Sequence, residues 1–215
     1  MLVQTKILSV DDLSAFPHTL ELLRRGEVVA IPTDTVYGIA ADGFNADAIE
    51  KLFAAKDRPS HKAIMLLIGD YADLEKIATY ISPTAQRLAQ KFWPGGLTLV
   101  VKARDELPSN LTAATNTIGV RLPDSDLVRE LARALGRPLA ATSANRSGGA
   151  NPRTAQDVLN DLDGRIAMIL DGGATPGNVP STVLDCTVEP PRVLRAGAIS
   201  SETLEQFLGV RLENA

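Results

Sequence analysis

The chain has 215 residues and a formal net charge of −4; 45% of its residues are hydrophobic and 22% are charged. These values are ordinary for globular proteins and exclude a disordered or collagen-like chain. The acidic balance argues against a large, sequence-independent nucleic-acid surface. A single cysteine, Cys186, and two histidines, His18 and His61, are too few for a structural zinc site.

The organisation of the chain points to one soluble unit. Its longest apolar stretches, such as residues 63–68, are far shorter than the roughly 20 residues needed to cross a bilayer, and the N-terminus lacks a signal-peptide pattern. We therefore expect a cytoplasmic protein. Proline and glycine punctuate short connections throughout and do not cluster at one boundary, so we expect residues 1–215 to form a single domain.

The predicted elements alternate between helices and apolar strands along the chain. Continuous apolar runs predict strands at 28–31, 63–68, 97–101, 139–141 and 166–170. Amphipathic spacing and capping residues predict helices at 12–25, 46–55, 71–80, 83–92, 126–135, 154–162 and 202–208. Residues 181–187 and 192–195 predict an antiparallel pair near the end. This order predicts a mixed α/β fold, with helices packed on a central sheet.

A cationic segment, KDRPSHK, begins at Lys56 after the second predicted helix. Pro59 disfavours a helical conformation at Arg58, which predicts an extended segment. Alternate residues of an extended segment share one side, here Lys56, Arg58, Ser60 and Lys62. Three cations and a hydroxyl on one side suit a polyphosphate, and an ordinary solvated loop is the alternative interpretation.

Polar groups also follow or interrupt apolar runs elsewhere. PTDTVYG from Pro32 and TSANRSGG from Thr142 each follow an apolar run. Such strand ends form ligand crevices in open α/β sheets, although capped loops have a similar composition. Arg121 and Arg195 lie within apolar strand patterns, where an unpaired guanidinium is costly to bury. Each is therefore expected to have an anionic partner, which can be a ligand or an acidic side chain.

The common cofactor and nucleophile motifs are absent from the sequence. There is no G-x-G dinucleotide fingerprint, Walker phosphate loop, G-x-S-x-G or H-E-x-x-H. Two histidines barely supply a catalytic triad, so covalent catalysis by a protein nucleophile is not expected.

Seven segments, in order, resemble the YrdC/Sua5 family of threonylcarbamoyl-AMP synthases. They are PTDTVYGIAADG from Pro32, KDRPSHKAIMLLI from Lys56, WPGGLTLV from Trp93, TIGVRLP from Thr117, TSAN from Thr142, PSTVLD from Pro180 and VLRAGAI from Val193. The resemblance runs from about Gly26 to Gly197. It implies a twisted mixed sheet flanked by helices, in the short single-domain form of the family, with a deep, positively lined cleft.

The activity implied by this resemblance is that of a nucleotidyltransferase. It condenses L-threonine, bicarbonate and ATP into threonylcarbamoyl-AMP and releases pyrophosphate, with Mg²⁺ expected to assist. The product feeds the N6-threonylcarbamoyladenosine modification at position 37 of tRNA, which a separate transferase complex completes. The alternative is a non-enzymatic module that binds double-stranded RNA or ribosomal precursors. A carbamoyl-transfer module of hydrogenase maturation proteins is disfavoured, because those chains carry zinc-binding cysteines and further domains.

The resemblance also assigns residues to each substrate. The implied threonine pocket consists of Thr33, Arg121, Ala141 and Ser181, with Arg121 binding the amino-acid carboxylate. The implied ATP contacts are Arg58, Lys62, Thr117, Ser143, Asn145, Asn151 and Arg195. The expected catalytic groups are Lys56, Arg58 and Arg195, and Asp34 is a candidate magnesium ligand. Leu67 and Ala63 depart from the family pattern, which often has histidine and proline at these two positions.

Overall fold

The computed structural model describes residues 4–59, 62–177 and 179–214. Its helices are α1 (Ala15–Arg24), α2 (Ala46–Lys56), α3 (Leu74–Ile77), α4 (Pro83–Phe92), α5 (Ser109–Thr112), α6 (Asp126–Leu135), α7 (Ala155–Leu162) and α8 (Ser201–Leu208). Within the described ranges, no helix has both the length and the apolar character that a bilayer-spanning segment requires. Ser60, a member of the cationic segment, lies outside the described residues.

In the part of the chain that the structure describes, twelve strands form one mixed sheet. They are β1 (Lys6–Ser9), β2 (Val29–Ile31), β3 (Gly38–Asp42), β4 (Met65–Leu67), β5 (Ala78–Tyr80), β6 (Leu97–Ala103), β7 (Thr117–Arg121), β8 (Leu139–Ser143), β9 (Met168–Asp171), β10 (Thr182–Asp185), β11 (Arg192–Arg195) and β12 (Glu213–Asn214). Their order is β1-β9-β2-β3-β8-β4-β7-β6-β10-β11-β12, and β5 pairs with β6. β4 is parallel to β7, whereas β6 and β7 are antiparallel. The mixed α/β prediction and the antiparallel pair β10–β11 are confirmed.

Local signals explain several element boundaries. The Asn45 side chain accepts hydrogen bonds from the backbone N–H groups of Asp47 and Ala48 and so caps the N-terminus of α2. Asparagine is one of the residues preferred at this position. Thr154 and Asp157 form the capping box of α7. Pro83 occupies the first turn of α4, where its missing N–H costs nothing.

The predicted pattern is wrong at residues 71–80 and lacks several elements of the structure. The predicted helix at 71–80 is a 3-10 turn (Tyr71–Asp73), then the short α3, then strand β5. β5 pairs with β6, and this backbone pairing outweighs the local helical periodicity. Strand β3 was not predicted, because its sequence GIAAD is rich in glycine and alanine, which are depleted in strands.

The two faces of the sheet are covered unequally. On the first face, a large core joins the strands to α2, α4, α7 and α8 through fully buried residues such as Leu52, Leu88, Val158 and Leu204. On the second face, a smaller cluster joins α1 and α6 to β2, β3, β8, β9 and the end of β4. Helices therefore cover only part of the second face, and the functional site lies beside them.

Candidate functional site

A pocket of about 420 Å³, including its open mouth, lies on the second face. It is lined by Thr33, Thr35, Val36, Gly38, Met65, Leu67, Arg121, Ala141, Thr142, Ser143, Pro180, Ser181 and Arg195. Strand register explains this gathering, because Met65 lies opposite Ala141 and Leu67 opposite Arg121, and paired residues share a face. Six predicted site residues thus line one pocket, namely Thr33, Arg121, Ala141, Ser143, Ser181 and Arg195.

The turn after β2 is shaped by its own hydroxyl groups. The Thr33 hydroxyl donates to the Val36 carbonyl at 2.7 Å and accepts from the Thr35 backbone N–H at 3.1 Å. Such side-chain bonds within a turn replace the missing backbone partners. The turn therefore holds Asp34 and Thr35 in fixed positions at the pocket.

Arg121 ends β7 and is almost completely buried, with 3% exposure. Its Nε donates to the Gly95 carbonyl at 2.8 Å, Nη1 to Thr35 Oγ1 at 3.1 Å and Nη2 to Asp34 Oδ1 at 2.5 Å. Burial lowers the pKa of Arg121, and the Asp34 carboxylate opposes that shift. The anionic partner in this structure is thus an acidic side chain. A guanidinium has five N–H donors, so further donors stay available to a ligand carboxylate.

Arg195 ends β11 and reaches across to the residue before β10. Its Nε and Nη2 donate to the Ser181 carbonyl at 3.1 and 2.7 Å, and Nη2 also donates to Ser181 Oγ at 3.1 Å. Burial lowers the pKa of Arg195, and the charges of Arg121 and Arg58 lower it further. Arg121 and Arg58, from distant parts of the sequence, therefore lie close enough to Arg195 for their charges to act on it. Such a group of cations favours a bound anion.

Gly197 allows the close approach between the chain after β11 and the start of β10. A Cβ atom at Gly197 would lie 2.5 Å from both the Ser181 carbonyl carbon and the Thr182 backbone nitrogen. The Ala198 N–H donates to the Pro180 carbonyl at 2.9 Å and closes the contact. Only glycine fits here, and its absence of a side chain keeps Arg195 beside Ser181.

Lys56 is buried, with 1% exposure, although lysine is rarely buried without partners. Its Nζ donates to the carbonyl of Ser143 at 2.5 Å, to the carbonyl of Asn145 and to Asn145 Oδ1 at 3.2 Å. An ammonium has three hydrogens, and these three acceptors match them. Burial lowers the pKa of Lys56 to about 8, and the Arg58 charge adds to that shift.

The predicted extended form of the cationic segment is wrong. α2 continues through Lys56, and Asp57 adopts a left-handed conformation with φ of 50°. The Lys62 N–H donates to the Pro59 carbonyl at 3.1 Å. Pro59 constrains only the residue before it, so it does not straighten the whole segment. Lys56 consequently points inward, whereas Lys62 is exposed.

The remaining predicted ATP contacts do not line this pocket. Arg58 Nη2 donates to the Ala63 carbonyl at 2.9 Å. Thr117 begins the strand that Arg121 ends, a separation of about 13 Å along an extended backbone. Asn145 is buried and accepts from the Ser143 hydroxyl at 2.6 Å, and Asn151 is exposed. The roles of these residues in binding ATP stay predictions.

Several pocket residues were not singled out from the sequence. Thr35, Val36, Gly38, Met65, Thr142 and Pro180 line the pocket, and Leu67 lines it with an apolar side chain. Most lie inside the quoted motifs, and the alternation of Met65 and Leu67 along β4 is a usable signal. Asp34 as the partner of Arg121 could not be found without the fold, since 87 positions separate the two residues.

The described residues do not fit a protein-held Mg²⁺ site. They contain no cluster of three or more His, Cys, Asp or Glu side chains arranged to hold a metal ion. The candidate ligand Asp34 is already bound to Arg121. Mg²⁺ in proteins is usually bound by one or two carboxylates together with phosphate oxygens of the substrate.

Comparison with known proteins shows the family. The family model Sua5_yciO_yrdC, described as telomere recombination, matches residues 21–197. The threonylcarbamoyl-AMP synthase of Bacillus subtilis is 45% identical over 189 residues, which cover 87% of this chain and 55% of that protein. A putative threonylcarbamoyl-AMP synthase of Mycobacterium tuberculosis is 37% identical over 87% of this chain and 86% of its own length. The chain therefore belongs to the Sua5_yciO_yrdC family.

A solved structure supports the same relationship at the level of the fold. The structure of Pyrococcus abyssi Sua5 complexed with L-threonine has a TM-score of 0.94 and 36% identity, and it covers 98% of this chain and 63% of that one. The chain spans just over half the length of the curated relatives from B. subtilis and P. abyssi. The twisted mixed sheet flanked by helices is thus the fold of this family.

Proposed function

We propose that this chain synthesises threonylcarbamoyl-AMP from L-threonine, bicarbonate and ATP and releases pyrophosphate. The single observation that carries the proposal is the similarity to a Sua5 structure that holds L-threonine, combined with a pocket lined by Thr33, Arg121 and Ser181. Hydroxyl groups and a guanidinium in one small pocket suit a hydroxy amino acid.

The proposed reaction forms two bonds in sequence. Bicarbonate first takes up a proton and loses water to give carbon dioxide. The threonine amine then attacks the carbon of carbon dioxide, and the proton that the amine loses balances the one taken up, so the net products are a carbamate and one water. A carbamate oxygen then attacks the α-phosphorus of ATP, and the bond to the bridging oxygen of pyrophosphate breaks. No protein nucleophile is needed, so catalysis comes from positioning and from fixed cations.

The described residues would divide these tasks. Arg121 would bind the threonine carboxylate with its remaining donors while Asp34 neutralises part of its buried charge. Arg58 and Arg195 would face the phosphates and the charge that develops in the transition state. Lys56, whose donors are used within the protein, would act as a positioning residue for the segment around Ser143 and Asn145. The positively lined cleft is part of this proposal.

The wider context is also proposed. Residues 1–215 would form a single domain, because one sheet runs through both core clusters. The product would feed a separate tRNA threonylcarbamoyl transferase complex, and the enzyme would work in the cytoplasm. A non-enzymatic RNA-binding module is not favoured, since the relatives compared here are synthases and the net charge is −4.

One reconstitution experiment tests the activity. The purified chain is incubated with ATP, L-threonine and bicarbonate, and each substrate is omitted in turn. We expect a threonylcarbamoyl adenylate, detected by mass spectrometry, together with an equal amount of pyrophosphate. Salt-sensitive binding of double-stranded RNA without pyrophosphate release would contradict the proposal and favour the RNA-binding alternative.

A further inference from the structure

Thr98 is a polar residue beneath the pocket, with 1% exposure, in the otherwise apolar start of β6. It is not among the residues that line the pocket. A buried hydroxyl without a hydrogen bond is costly, so a buried threonine is expected to have a hydrogen-bond partner. Its Oγ1 lies 2.8 Å from Ser181 Oγ and 3.7 Å from Met65 Sδ.

Three contacts connect Arg195, Ser181, Thr98 and Met65 in a row. Together they determine which way the hydroxyl of Ser181 points. Ser181 Oγ accepts from Arg195 Nη2 at 3.1 Å. A hydroxyl has one donor and two acceptor sites. If Ser181 donates to Thr98 and Thr98 donates to Met65 Sδ, every contact is a hydrogen bond with a correct donor. In the reverse direction the contact between Thr98 and Met65 has no donor.

The position of the Thr98 side chain is held from its other side. A Cβ atom at Gly119 would lie 3.2 Å from Thr98 Cγ2 and 3.5 Å from Met65 Cβ, so Thr98 fills the space above this glycine. The branched side chain has few staggered rotamers, and packing of its methyl group restricts them further. The hydroxyl therefore stays directed towards Ser181.

From this arrangement we infer that Thr98 is a positioning residue that makes Ser181 a hydrogen-bond acceptor for the β-hydroxyl group of the amino-acid substrate. With Thr98 donating to Met65 Sδ, Ser181 donates its proton to Thr98 and accepts from Arg195, so its second lone pair is left for a donor in the pocket. An acceptor selects an amino acid with a hydroxyl over one that lacks it. This inference rests on the proposed function, because it names how the same pocket recognises threonine.

The test compares Thr98→Val with Thr98→Ser. Valine keeps the shape and removes the hydroxyl, whereas serine keeps the hydroxyl. We expect Thr98→Val to raise the threonine KM about tenfold, with the ATP KM and kcat little changed, and to reduce the preference for L-threonine over L-2-aminobutyrate by a similar factor. Thr98→Ser should keep the wild-type preference. Two results would overturn the inference. One is an equal preference for L-threonine over L-2-aminobutyrate in the wild type and Thr98→Val; the other is a lower kcat together with a higher KM for both L-threonine and ATP.

A double variant and a binding measurement complete the design. Because Thr98 acts through Ser181, Thr98→Val should add little to Ser181→Ala, and additive losses would contradict this coupling. Circular dichroism and thermal unfolding check that each variant folds. Calorimetric binding of L-threonine and L-2-aminobutyrate measures the preference without turnover. Failure of the wild type to make the adenylate would refute the proposed function, whereas an active wild type with an unaltered Thr98→Val would refute the role of Thr98 alone.

Discussion

At the scale of single residues, the pocket combines groups whose charges would be unfavourable in isolation. Arg121 is buried against Asp34, and Arg195 lies near two other guanidinium groups. Proteins stabilise such arrangements only with close partners or a bound ion of opposite charge. The pocket lining therefore has one cation neutralised by Asp34, which is Arg121, and one further cation, Arg195, whose natural complement is an anionic substrate.

The first residue prediction concerns Arg121. Arg121→Ala should raise the threonine KM at least about 30-fold, because a buried charge-assisted contact is lost, and should affect the ATP KM far less. Steady-state kinetics with each substrate varied in turn measures both values. Since the change also leaves Asp34 without its partner, Arg121→Ala combined with Asp34→Asn serves as a stability control. Unchanged threonine saturation would show that Arg121 does not bind the carboxylate.

A second prediction concerns the cations expected to face the phosphates. Arg58→Ala and Arg195→Ala should each lower turnover roughly 100-fold, the usual effect of losing one preorganised transition-state contact. Arg25→Ala is the matched control, because Arg25 is an exposed arginine that directly follows α1 and pairs with Glu21. Single-turnover release of pyrophosphate gives the rates. Full activity in a folded Arg58 or Arg195 variant would remove that residue from the mechanism.

At the scale of elements, the end of α2 is attached to the end of β8 by Lys56. Its ammonium bonds to Ser143 and Asn145, whose segment carries part of the pocket wall. Removal of the ammonium would leave the carbonyl oxygens of Ser143 and Asn145 without this donor, whereas Asn145 Oδ1 would keep the hydroxyl of Ser143. Burial of such unpaired acceptors is costly.

Lys56→Met should accordingly lower the free energy of unfolding by about 2 kcal/mol and lower activity as the segment around Ser143 loses its anchor. Lys51→Met is the control on the same helix, because Lys51 is half-exposed and pairs with Glu27, and it should cost under about 0.5 kcal/mol. Urea titration measures the free energy of unfolding of both variants. Equal stabilities for the two variants would argue against an anchoring role.

Lys56 also makes the free energy of unfolding depend on pH. Its pKa is about 8 in the folded chain, against an ordinary value of 10.5. Between these values the unfolded chain binds the proton that the folded chain has released, so this group adds stability as pH rises from about 8 to 10.5. The stability difference between wild type and Lys56→Met should therefore increase over that interval. Urea titrations at several pH values measure it, and a constant difference would contradict the shift.

Sequence patterns predicted elements well where one local signal dominated. The Asn45 cap, Pro83 at the start of α4 and the capping box of Thr154 all hold in the structure. Local signals failed where backbone pairing with a distant strand decided the outcome, as in β3 and β5. The direction of the Lys56 side chain likewise depends on acceptors 87 and 89 positions away, which no local pattern contains.

At the scale of the whole molecule, the site depends on the unequal covering of the sheet. The larger core on the first face holds the strands in place, and α1 and α6 cover only part of the second face. The pocket motifs were visible in the sequence through family resemblance, but the meeting of six site residues depends on strand order. Strands β3, β8, β4 and β7 are neighbours in space and not in sequence.

Ligand binding should therefore stabilise the whole fold. L-threonine at 100 times its Kd should raise the free energy of unfolding by about 2.7 kcal/mol, or the unfolding temperature by roughly 5–10 °C. D-threonine should have little effect, because the pocket is chiral. Differential scanning calorimetry of wild type and Arg121→Ala measures the shift, and equal stabilisation by both enantiomers would contradict specific binding.

The partly covered face of the sheet also has a consequence for the energetics of recognition. The pocket is built on strands, and folding has already ordered the backbone of Met65, Gly119 and Arg121. The protein backbone therefore loses little conformational entropy when a ligand binds. The conformational entropy of association is then confined largely to the incoming amino acid and nucleotide themselves.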